Sequence, residues 1–413
     1  MGVDGSEQGT RASGPRVLVA GASIAGPALA HWLRRRGAEV TVVERAPALR
    51  PGGQAVDARG VAREVIGRMG LDAAVRAACT DTAGAHTVDA DGRVLETFRV
   101  DDDGGDGFIA DIEILRGDLA QVLYDDTRDG VEYIFGDRIA ELAQDANGVD
   151  VVFAGGDRRR FELVVGADGL HSPLRAMVFG PHERFVRHLG HVLAFYSVPN
   201  EFGLDRWLLE YQDQETGRSA LLRPIQDATR AMAMFYFAAA GFDVDYRDVA
   251  AQKVLLRERM AGLGWLTPGI LAHLDDTPDF YLDQVAQVVM DRWSSGRVGL
   301  LGDAAFSSSP MSGQGTGLAL VGAYVLAGEL AAAGWDPDAG FARYEARMRS
   351  YVEANQEIGR LNARTRDLPG PDTEPTPDFT GEWFTDLLGR AINGVELPDY
   401  AGVPDSGQAV DVT

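Results

Sequence analysis

The sequence predicts an α/β protein in which a domain built on buried parallel strands is interleaved with a second domain built on an antiparallel sheet. Three times an apolar run ends in a glycine-rich turn that precedes a helical pattern, at 16–26, 161–175 and 297–317. From 182 to 290, aromatic and β-branched runs alternate with polar turns, which is typical of antiparallel strands. With 413 residues, the chain can form two domains without metal or disulfide support.

We predict a nucleotide-binding domain, an inserted substrate-binding sheet domain and a C-terminal helical segment. The nucleotide-binding domain comprises residues 15–84, 99–181 and 286–337, and the sheet domain comprises 85–98 and 182–285. The remaining segments are a disordered leader (1–14), a C-terminal helix (338–365), and a linker, short helix and tail (366–413).

Charge and cysteine content exclude several classes of partner. The chain has 39 Lys and Arg against 62 Asp and Glu, a net charge of −23, which disfavours nucleic acid and anionic membranes. The single cysteine, Cys79, cannot form an internal disulfide, and the first fifteen residues lack the apolar core of a signal peptide. The apolar stretch 317–335 contains Glu329 and lacks an aromatic belt, so we predict a buried helix. We expect a cytoplasmic protein with no membrane partner and an undetermined oligomeric state.

The N-terminal elements form a strand–helix–strand unit: a strand at Arg16–Gly21, a helix at Ile24–Arg36 and a strand at Ala38–Glu44. A loop (45–60), a helix (61–69), a hairpin turning at Asp91-Gly92 and a helix (115–128) follow. We then predict a strand at 131–135 and a meander of strands at 138–144, 149–153 and 161–165. Later elements are a helix near 246–261, a strand at 297–301, the apolar helix and a charged helix at 338–364.

The first glycine-rich turn, Gly21-Ala-Ser-Ile-Ala-Gly26, lies between the first strand and its helix. The free N–H groups and the positive dipole end of that helix can face a pyrophosphate. Glu44 ends the second strand, where its carboxylate can accept hydrogen bonds from both ribose hydroxyls. A purely structural strand-to-helix turn is the alternative.

The second motif, GADGLHSPLR at 166–175, also follows a strand. Asp168 can reach a cofactor ribose or phosphate, Ser172 can cap the next helix, and Arg175 can clamp a charge. The alternative is a capped helix with a surface arginine.

The third motif, GDAAFSSSPMSGQGTG at 302–317, is the most specific pattern in the sequence. Asp303 can hydrogen-bond a ribityl hydroxyl. The Gly313-Gln314-Gly315 turn opens the apolar helix, whose N-terminal dipole would face a polar ring edge.

These three motifs, in this order, resemble the group A flavoprotein monooxygenases of the para-hydroxybenzoate hydroxylase fold. The chain is most similar to FAD-dependent members that degrade tetracycline or tailor antibiotics. The resemblance covers residues 15–360 and implies a Rossmann-like FAD-binding domain. It implies that FAD contacts the following residues: Gly21, Ser23, Ile24, Ala25, Gly26, Glu44, Arg45, Gln54, Arg116, Ile139, Asp168, Gly302, Asp303, Pro310, Gly313, Gln314, Gly315 and Thr316.

Two positions depart from the family pattern. Ser23 replaces the middle glycine of the first turn, which is tolerable if only its backbone faces the phosphate. Phe306 stands where the family commonly has histidine after Gly-Asp-Ala-Ala, which affects any histidine-mediated positioning near the flavin.

The aromatic strands supply candidate walls of a substrate site: Phe195, Trp207, Tyr211, Arg223, Phe235 and Phe237. Each of the aromatic residues can equally be core, because strand alternation leaves the cavity face undetermined. For Arg223, a surface position is favoured over contact with an anionic or phenolate group. The histidines show no metal-ligand spacing, and we expect no metal.

The resemblance implies an FAD- and NAD(P)H-dependent monooxygenase that hydroxylates an aromatic or polyketide-like small molecule through a flavin hydroperoxide. The flavin carries the chemistry, so no catalytic side chain is assigned. Dioxygen and an aromatic substrate are the expected partners, and NADPH or NADH is the expected reductant. Two alternatives stay open: a flavin oxidase or reductase without oxygen transfer, and a non-catalytic flavin-containing binding protein.

Overall fold

A computed structural model describes residues 14–100, 106, 110–245, 247–368, 379 and 381–400 of the chain. The predicted leader and much of the predicted linker and tail lie outside the described residues. The strands are β1 (Arg16–Ala20), β2 (Glu39–Glu44), β3 (Ala55–Asp57), β4 (Gly84–Val88), β5 (Val94–Arg99), β6 (Glu113–Leu115), β7 (Glu132–Phe135), β8 (Ile139–Gln144), β9 (Val149–Phe153), β10 (Arg158–Phe161), β11 (Leu163–Gly166), β12 (Val186–Pro199), β13 (Trp207–Gln212), β14 (Ser219–Pro224), β15 (Arg230–Ala238), β16 (Tyr281–Val288), β17 (Ser294–Ser295) and β18 (Val298–Leu300). The helices are α1 (Ala25–Arg35), α2 (Val61–Met69), α3 (Asp72–Ala77), α4 (Arg116–Thr127), α5 (Pro173–Phe179), α6 (Val249–Met260), α7 (Thr267–Ala272), α8 (Asp303–Phe306), α9 (Gly315–Ala332), α10 (Pro337–Arg364) and α11 (Glu382–Asn393).

A six-stranded sheet forms the centre of the first domain, with strand order β17-β18-β11-β1-β2-β7. All its pairings are parallel except β17 with β18. Strands β1, β11 and β18 are almost fully buried, since helices and other elements cover both faces of the sheet. Because parallel strands end at one edge, the turns after β1, β2, β11 and β18 lie on the same side of the molecule.

The second large sheet has seven strands, in the order β16-β12-β15-β14-β13-β4-β5. Its pairings are antiparallel except that of β4 with β13, which is parallel. The hairpin β4–β5 therefore joins strands that follow it by more than a hundred residues. One face of this sheet packs on α6 and α7, where Leu256, Met260 and Ile270 are buried.

The structure corrects the predicted three-stranded meander. The segment 158–166 contains two strands, of which β10 pairs with β9 in a small antiparallel sheet. The other, β11, pairs with β1 and β18 in the central sheet. Two short paired strands, β3 and β6, and helices α3 and α7 were also missing from the prediction.

Helix α9 is the one described helix that is long and apolar enough to cross a membrane, with a mean hydropathy of 1.4. It is 83% buried inside the protein and contacts α1, α2 and α10. Its carboxylate Glu329 is also buried, where it accepts hydrogen bonds from Tyr400 and Arg347 at 2.9 Å each. Helix α9 is therefore the core helix of the first domain.

The C-terminal residues pack against the first domain. Helix α11 packs on α10 through a buried cluster that includes Ile358, Leu387 and Ala391. Beyond it, the ring of Tyr400 covers Gly328, where a Cβ atom would lie 2.1 Å from a ring carbon. The glycine at 328 therefore makes room for the aromatic ring.

Candidate functional site

A cavity of about 2380 Å³ lies between the two large sheets. It extends from the turns after β1, β2 and β11 to the loop between β18 and α9 and to one face of the seven-stranded sheet. Glu44 and Asp303, which are far apart in sequence, both line it. The three sequence motifs therefore meet at one continuous cavity.

The turn after β1 depends on two glycines, one for its backbone conformation and one for the close approach of helix α1. Gly21 has a φ of +110°, and a Cβ atom there would lie 2.3 Å from the Ala167 carbonyl oxygen. Gly26 lets α1 approach the turn, since its Cβ would lie 1.9 Å from the Gly21 carbonyl oxygen. Gly21, Ser23, Ile24 and Ala25 line the cavity, whereas Gly26 is packed behind them. The role of Gly26 in the structure is thus to bring helix and strand together.

Glu44 is held at the end of β2 by backbone donors. Its Oε2 accepts a hydrogen bond from Ala22 N at 2.9 Å, and its Oε1 accepts one from Ala46 N at 2.9 Å. Each carboxylate oxygen has a second lone pair. The fixed carboxylate can therefore still accept hydrogen bonds from hydroxyl groups in the cavity.

Arg116, the first residue of α4, is a half-buried cation that faces the cavity. Its Nη1 donates to Ser23 Oγ at 2.9 Å, and no carboxylate of the described chain forms an ion pair with it. Burial, reinforced by the like charge of Arg50, lowers its pKa to about 10. A bound anion would relieve both effects. The Ser23 side chain thus positions Arg116, so Ser23 contributes more than its backbone to this turn.

Asp168 is largely occupied within its own motif. Its Oδ1 accepts from Ser172 Oγ at 2.5 Å and its Oδ2 accepts from Leu174 N at 3.1 Å, while burial raises its pKa. Arg175 is fully buried and donates to the carbonyl oxygens of Ala304 and Leu170, at 2.9 Å and 2.6 Å. The alternative of a surface arginine is therefore wrong: Arg175 ties the second motif to the third.

The third motif presents a carboxylate beside a helix N-terminus. Gly302 and Gly313 have φ values of +63° and +65°, which L-residues with side chains seldom adopt. Asp303 faces the cavity, and desolvation by the surrounding protein raises the pKa of its carboxyl group. A Cβ at Gly315 would lie 4.0 Å from Asp303 Oδ1, so the carboxylate lies close to the start of α9.

Most of the other predicted cofactor residues also line the cavity: Arg45, Gln54, Ile139, Pro310, Gly313, Gln314, Gly315 and Thr316. Gly302 does not, because it turns the backbone at the end of β18. Phe306 does not either: it is 1% exposed, and its ring centroid lies 4.6 Å from that of Trp293. The replacement of the family histidine by Phe306 is thus a change in core packing.

The predicted substrate wall is only partly placed on the cavity. Phe195 and Arg223 line it, but Trp207, Tyr211, Phe235 and Phe237 do not. Phe235 and Phe237 point to the opposite face of β15, into the core beneath α6 and α7. Tyr211 packs against that same core, and Trp207 stacks on His86 at 4.2 Å.

The cavity face carries residues that the sequence analysis did not single out: Leu193, Leu208, Glu210, Leu221, Met234, Tyr236 and Tyr281, with Phe384, Leu388 and Ile392 of α11. The strand residues of this set follow a strict alternation with the core face. One residue known to face the cavity would have been enough to assign all the others on its strand.

Arg223 lies largely buried at the wall of the cavity. The prediction of a surface position for this residue is therefore wrong. Arg223 forms an ion pair with Glu113, which is 3% exposed. Glu113 also accepts hydrogen bonds from Thr80 and Thr82 at 2.7 Å and 2.6 Å. The charge of Arg223 is therefore compensated from within the protein.

Among the described residues, no group of three or more His, Cys, Asp or Glu side chains is arranged to hold a metal ion.

Comparisons with known proteins agree with this geometry. The family described as FAD binding domain matches residues 15–357. A flavin-dependent monooxygenase of Legionella longbeachae is 35% identical over 392 residues, which cover 93% of this chain and 98% of that protein. An uncharacterized protein of Mycobacterium tuberculosis is 45% identical over 387 residues, with 93% and 99% covered. The crystal structure of tetracycline destructase Tet(55) has a TM-score of 0.82 and 36% identity, covering 95% of this chain and all of that one (100%).

Proposed function

Because this chain belongs to the FAD-binding family of flavin-dependent monooxygenases, we propose that it hydroxylates an aromatic or polyketide-like small molecule with NADPH or NADH as reductant. The observation that carries the proposal is the continuous cavity. It joins the turns that fit a dinucleotide to an apolar sheet face that fits a ring system. A protein that bound FAD for structural reasons alone would not need the part of the cavity that is lined by the sheet face.

We propose that the cofactor is held by charges and dipoles of the first domain. The N-terminus of α1 and the guanidinium of Arg116 suit the pyrophosphate. Glu44 suits the ribose hydroxyls of the adenosine half. Asp303 and the turn that opens α9 suit the ribityl chain and the flavin ring. The half-buried Arg116, which forms no ion pair within the described part of the chain, is the strongest sign that an anion belongs here.

The flavin, when bound, supplies the redox and oxygen chemistry, and the protein controls access and orientation. The apolar side chains Leu193, Phe195 and Met234 line the sheet side of the cavity and exclude water from a bound ring. Helix α11 contributes Phe384, Leu388 and Ile392 to the lining and thereby covers part of the same space. This arrangement suits a substrate that is held by shape and a few polar contacts.

Tetracycline is the first probe to use, because two solved relatives above 30% identity are named tetracycline destructases. The purified full-length chain should show the absorption spectrum of bound flavin. NADPH oxidation should accelerate when tetracycline or a phenolic polyketide from a panel is added. With ¹⁸O-labelled dioxygen, the product should gain one labelled oxygen atom.

The outcomes separate the alternatives. Accelerated NADPH oxidation that yields hydrogen peroxide and an unchanged organic molecule would indicate an oxidase or reductase. Bound flavin with no ligand-stimulated NADPH or NADH oxidation across the panel would favour a binding protein. Absence of flavin binding by the folded chain would contradict the proposal as a whole.

A further inference from the structure

A polar corner of the cavity, formed by Glu210, Tyr236 and Arg366, lies on the seven-stranded sheet. Arg366 follows α10, and its Nη2 donates to Glu210 Oε1 at 2.9 Å. Its Nη1 donates to Ser219 Oγ at 2.8 Å, and Ser219 pairs with Tyr236 across β14 and β15. The guanidinium carbon lies 4.3 Å from the centre of the Tyr236 ring. The corner therefore holds its arginine in place through three independent contacts.

Tyr236 is the member of this corner whose polar group has no protein partner among the described residues and is open to the cavity. The residue is only 8% exposed, yet it lines the cavity. No described residue forms a hydrogen bond with its hydroxyl group. The hydroxyl oxygen itself is not enclosed by protein, since it opens onto the cavity. The hydroxyl group faces space that a ligand can fill.

The chemistry of the corner selects the kind of group that can bind. Burial raises the pKa of Tyr236, so its phenol stays protonated and can donate a hydrogen bond. Arg366 has further N–H groups beyond the two in use. Glu210 already balances the charge of Arg366, just as Glu113 balances that of Arg223. The corner thus offers donors without net positive charge, which favours a neutral acceptor such as a carbonyl oxygen over a carboxylate.

We propose that Tyr236 is a specificity-determining residue whose hydroxyl, assisted by Arg366, donates a hydrogen bond to a carbonyl oxygen on the ring system of the substrate. This inference rests on the proposed function, because it assigns a substrate contact in the same cavity. It places the polar anchor at Tyr236 and not at Arg223, whose charge is already paired with Glu113.

Two probes of nearly equal shape test the contact: 2-acetylnaphthalene has the carbonyl oxygen and 2-ethylnaphthalene lacks it. Binding to the FAD-loaded full chain can be followed by quenching of flavin or tryptophan fluorescence. The parent protein should bind the acetyl probe roughly 5-fold or more tightly than the ethyl probe, as expected for one hydrogen bond. Tyr236→Phe should abolish that preference. A parent protein that does not discriminate, or a Tyr236→Phe variant that still does, would overturn the inference.

Tyr196→Phe is the matched control. Tyr196 lies on the neighbouring strand β12, points to the opposite face of the sheet and donates to the Ile270 carbonyl oxygen at 3.1 Å. This variant should keep the preference for the acetyl probe. Loss of the preference in both variants would show a general effect on the sheet and would overturn the assignment to Tyr236.

Urea unfolding without any probe gives a second readout. Removing the unpartnered Tyr236 hydroxyl should leave the urea midpoint where it is, whereas Tyr196→Phe should lower it. A midpoint of Tyr236→Phe that falls as far as that of Tyr196→Phe would overturn the inference. If Tyr236→Phe loses the preference for the acetyl probe but no substrate stimulates NADPH oxidation, only the proposed function is contradicted. If oxidation is stimulated and the preference persists, the inference fails alone.

Discussion

Arg116 illustrates how much of the cofactor site depends on single charges. Three neighbours set its behaviour: Ser23 orients the guanidinium, Arg50 repels it, and Glu44 attracts it. Hydrogen bonds to charged groups contribute about 1.5–3 kcal/mol. Replacement of Arg116 should therefore weaken FAD binding more than replacement of any other single side chain of the site.

We expect Arg116→Gln to weaken FAD binding roughly 10- to 100-fold, because a neutral amide cannot replace a half-buried cation beside a pyrophosphate. The dissociation constant can be measured by quenching of FAD fluorescence on titration with apoprotein. Arg128→Gln, at the exposed C-terminal end of the same helix, is the control and should bind FAD as the parent does. Equal affinities for the two variants would contradict the role given to Arg116.

A second single-residue prediction concerns the pH dependence of stability. Arg159 on β10 donates twice to Glu132 on β7, at 2.9 Å and 2.7 Å, and these bonds hold the pKa of Glu132 below its usual value of 4.5. A carboxyl group with a lowered folded pKa stabilises the protein above the unfolded pKa, and the contribution is lost as the pH falls through the folded pKa.

Glu132→Gln should therefore be less stable than the parent near pH 7, by no more than about 1 kcal/mol because the pair is solvent-exposed. The difference should shrink as the pH falls below 4.5. Urea unfolding at a series of pH values measures it, and Arg159→Gln should reproduce the effect. A difference that is the same at pH 3 and pH 7 would exclude this linkage.

The site residues that the sequence could predict are those whose position along a strand decides their role. Glu44 and Asp303 follow parallel strands, and such strand ends meet at one edge. The substrate wall could not be predicted, because Phe235 and Met234 are equally apolar and only the fold decides which faces the cavity. Glu113, which pairs with Arg223, and Arg366, which packs on the Tyr236 ring, come from distant segments of the chain. No local sequence pattern predicts these contacts.

At the scale of elements, the strongly periodic helices were predicted best, while strand partners were not. The predicted bounds of the C-terminal helix differ from α10 by one residue at its start. In contrast, β10 and β11 are separated by only Glu162 and belong to different sheets. Pairing between strands is a long-range property, so a short apolar run cannot reveal it.

Packing between α9 and the C-terminal residues gives a prediction at this scale. Gly328→Ala should lower the free energy of unfolding by about 1–3 kcal/mol, because the new methyl group would displace the ring of Tyr400. Gly67→Ala in α2 is the matched control: nothing lies within 4 Å of its Cβ position, and alanine should stabilise that helix by about 0.5–1 kcal/mol. Urea unfolding compares the two, and a stabilising Gly328→Ala would contradict the packing.

At the scale of the whole molecule, the two large sheets are made from interleaved segments. The hairpin β4–β5 leaves the first domain to join the seven-stranded sheet, and the chain returns to the central sheet after β16. The sequence predicted this interleaving, because the change in residue pattern at 182 and 290 is large. The cavity between the sheets could not be predicted from the sequence, because it depends on how the two sheets are placed in three dimensions.

A ligand that contacts both sheets should stabilise the molecule as one unit. FAD at one hundred times its dissociation constant should raise the free energy of unfolding by about 2.7 kcal/mol if the unfolded chain does not bind it. Urea unfolding at increasing FAD concentrations measures the effect, and Arg116→Gln should shift the response to higher FAD concentrations. Unfolding that is independent of FAD would show that the folded chain does not bind it specifically.

The two faces of the seven-stranded sheet also suggest how such an enzyme can be changed by mutation. Along β12, β14 and β15, the side chains that line the cavity alternate with neighbours that anchor the helices behind. Randomising only Leu193, Leu221 and Met234 would therefore vary the shape of the compartment and leave the hydrophobic support beneath it intact. A library restricted to such alternate positions should retain a high fraction of folded members, and divergence among natural relatives can follow the same route to new substrates.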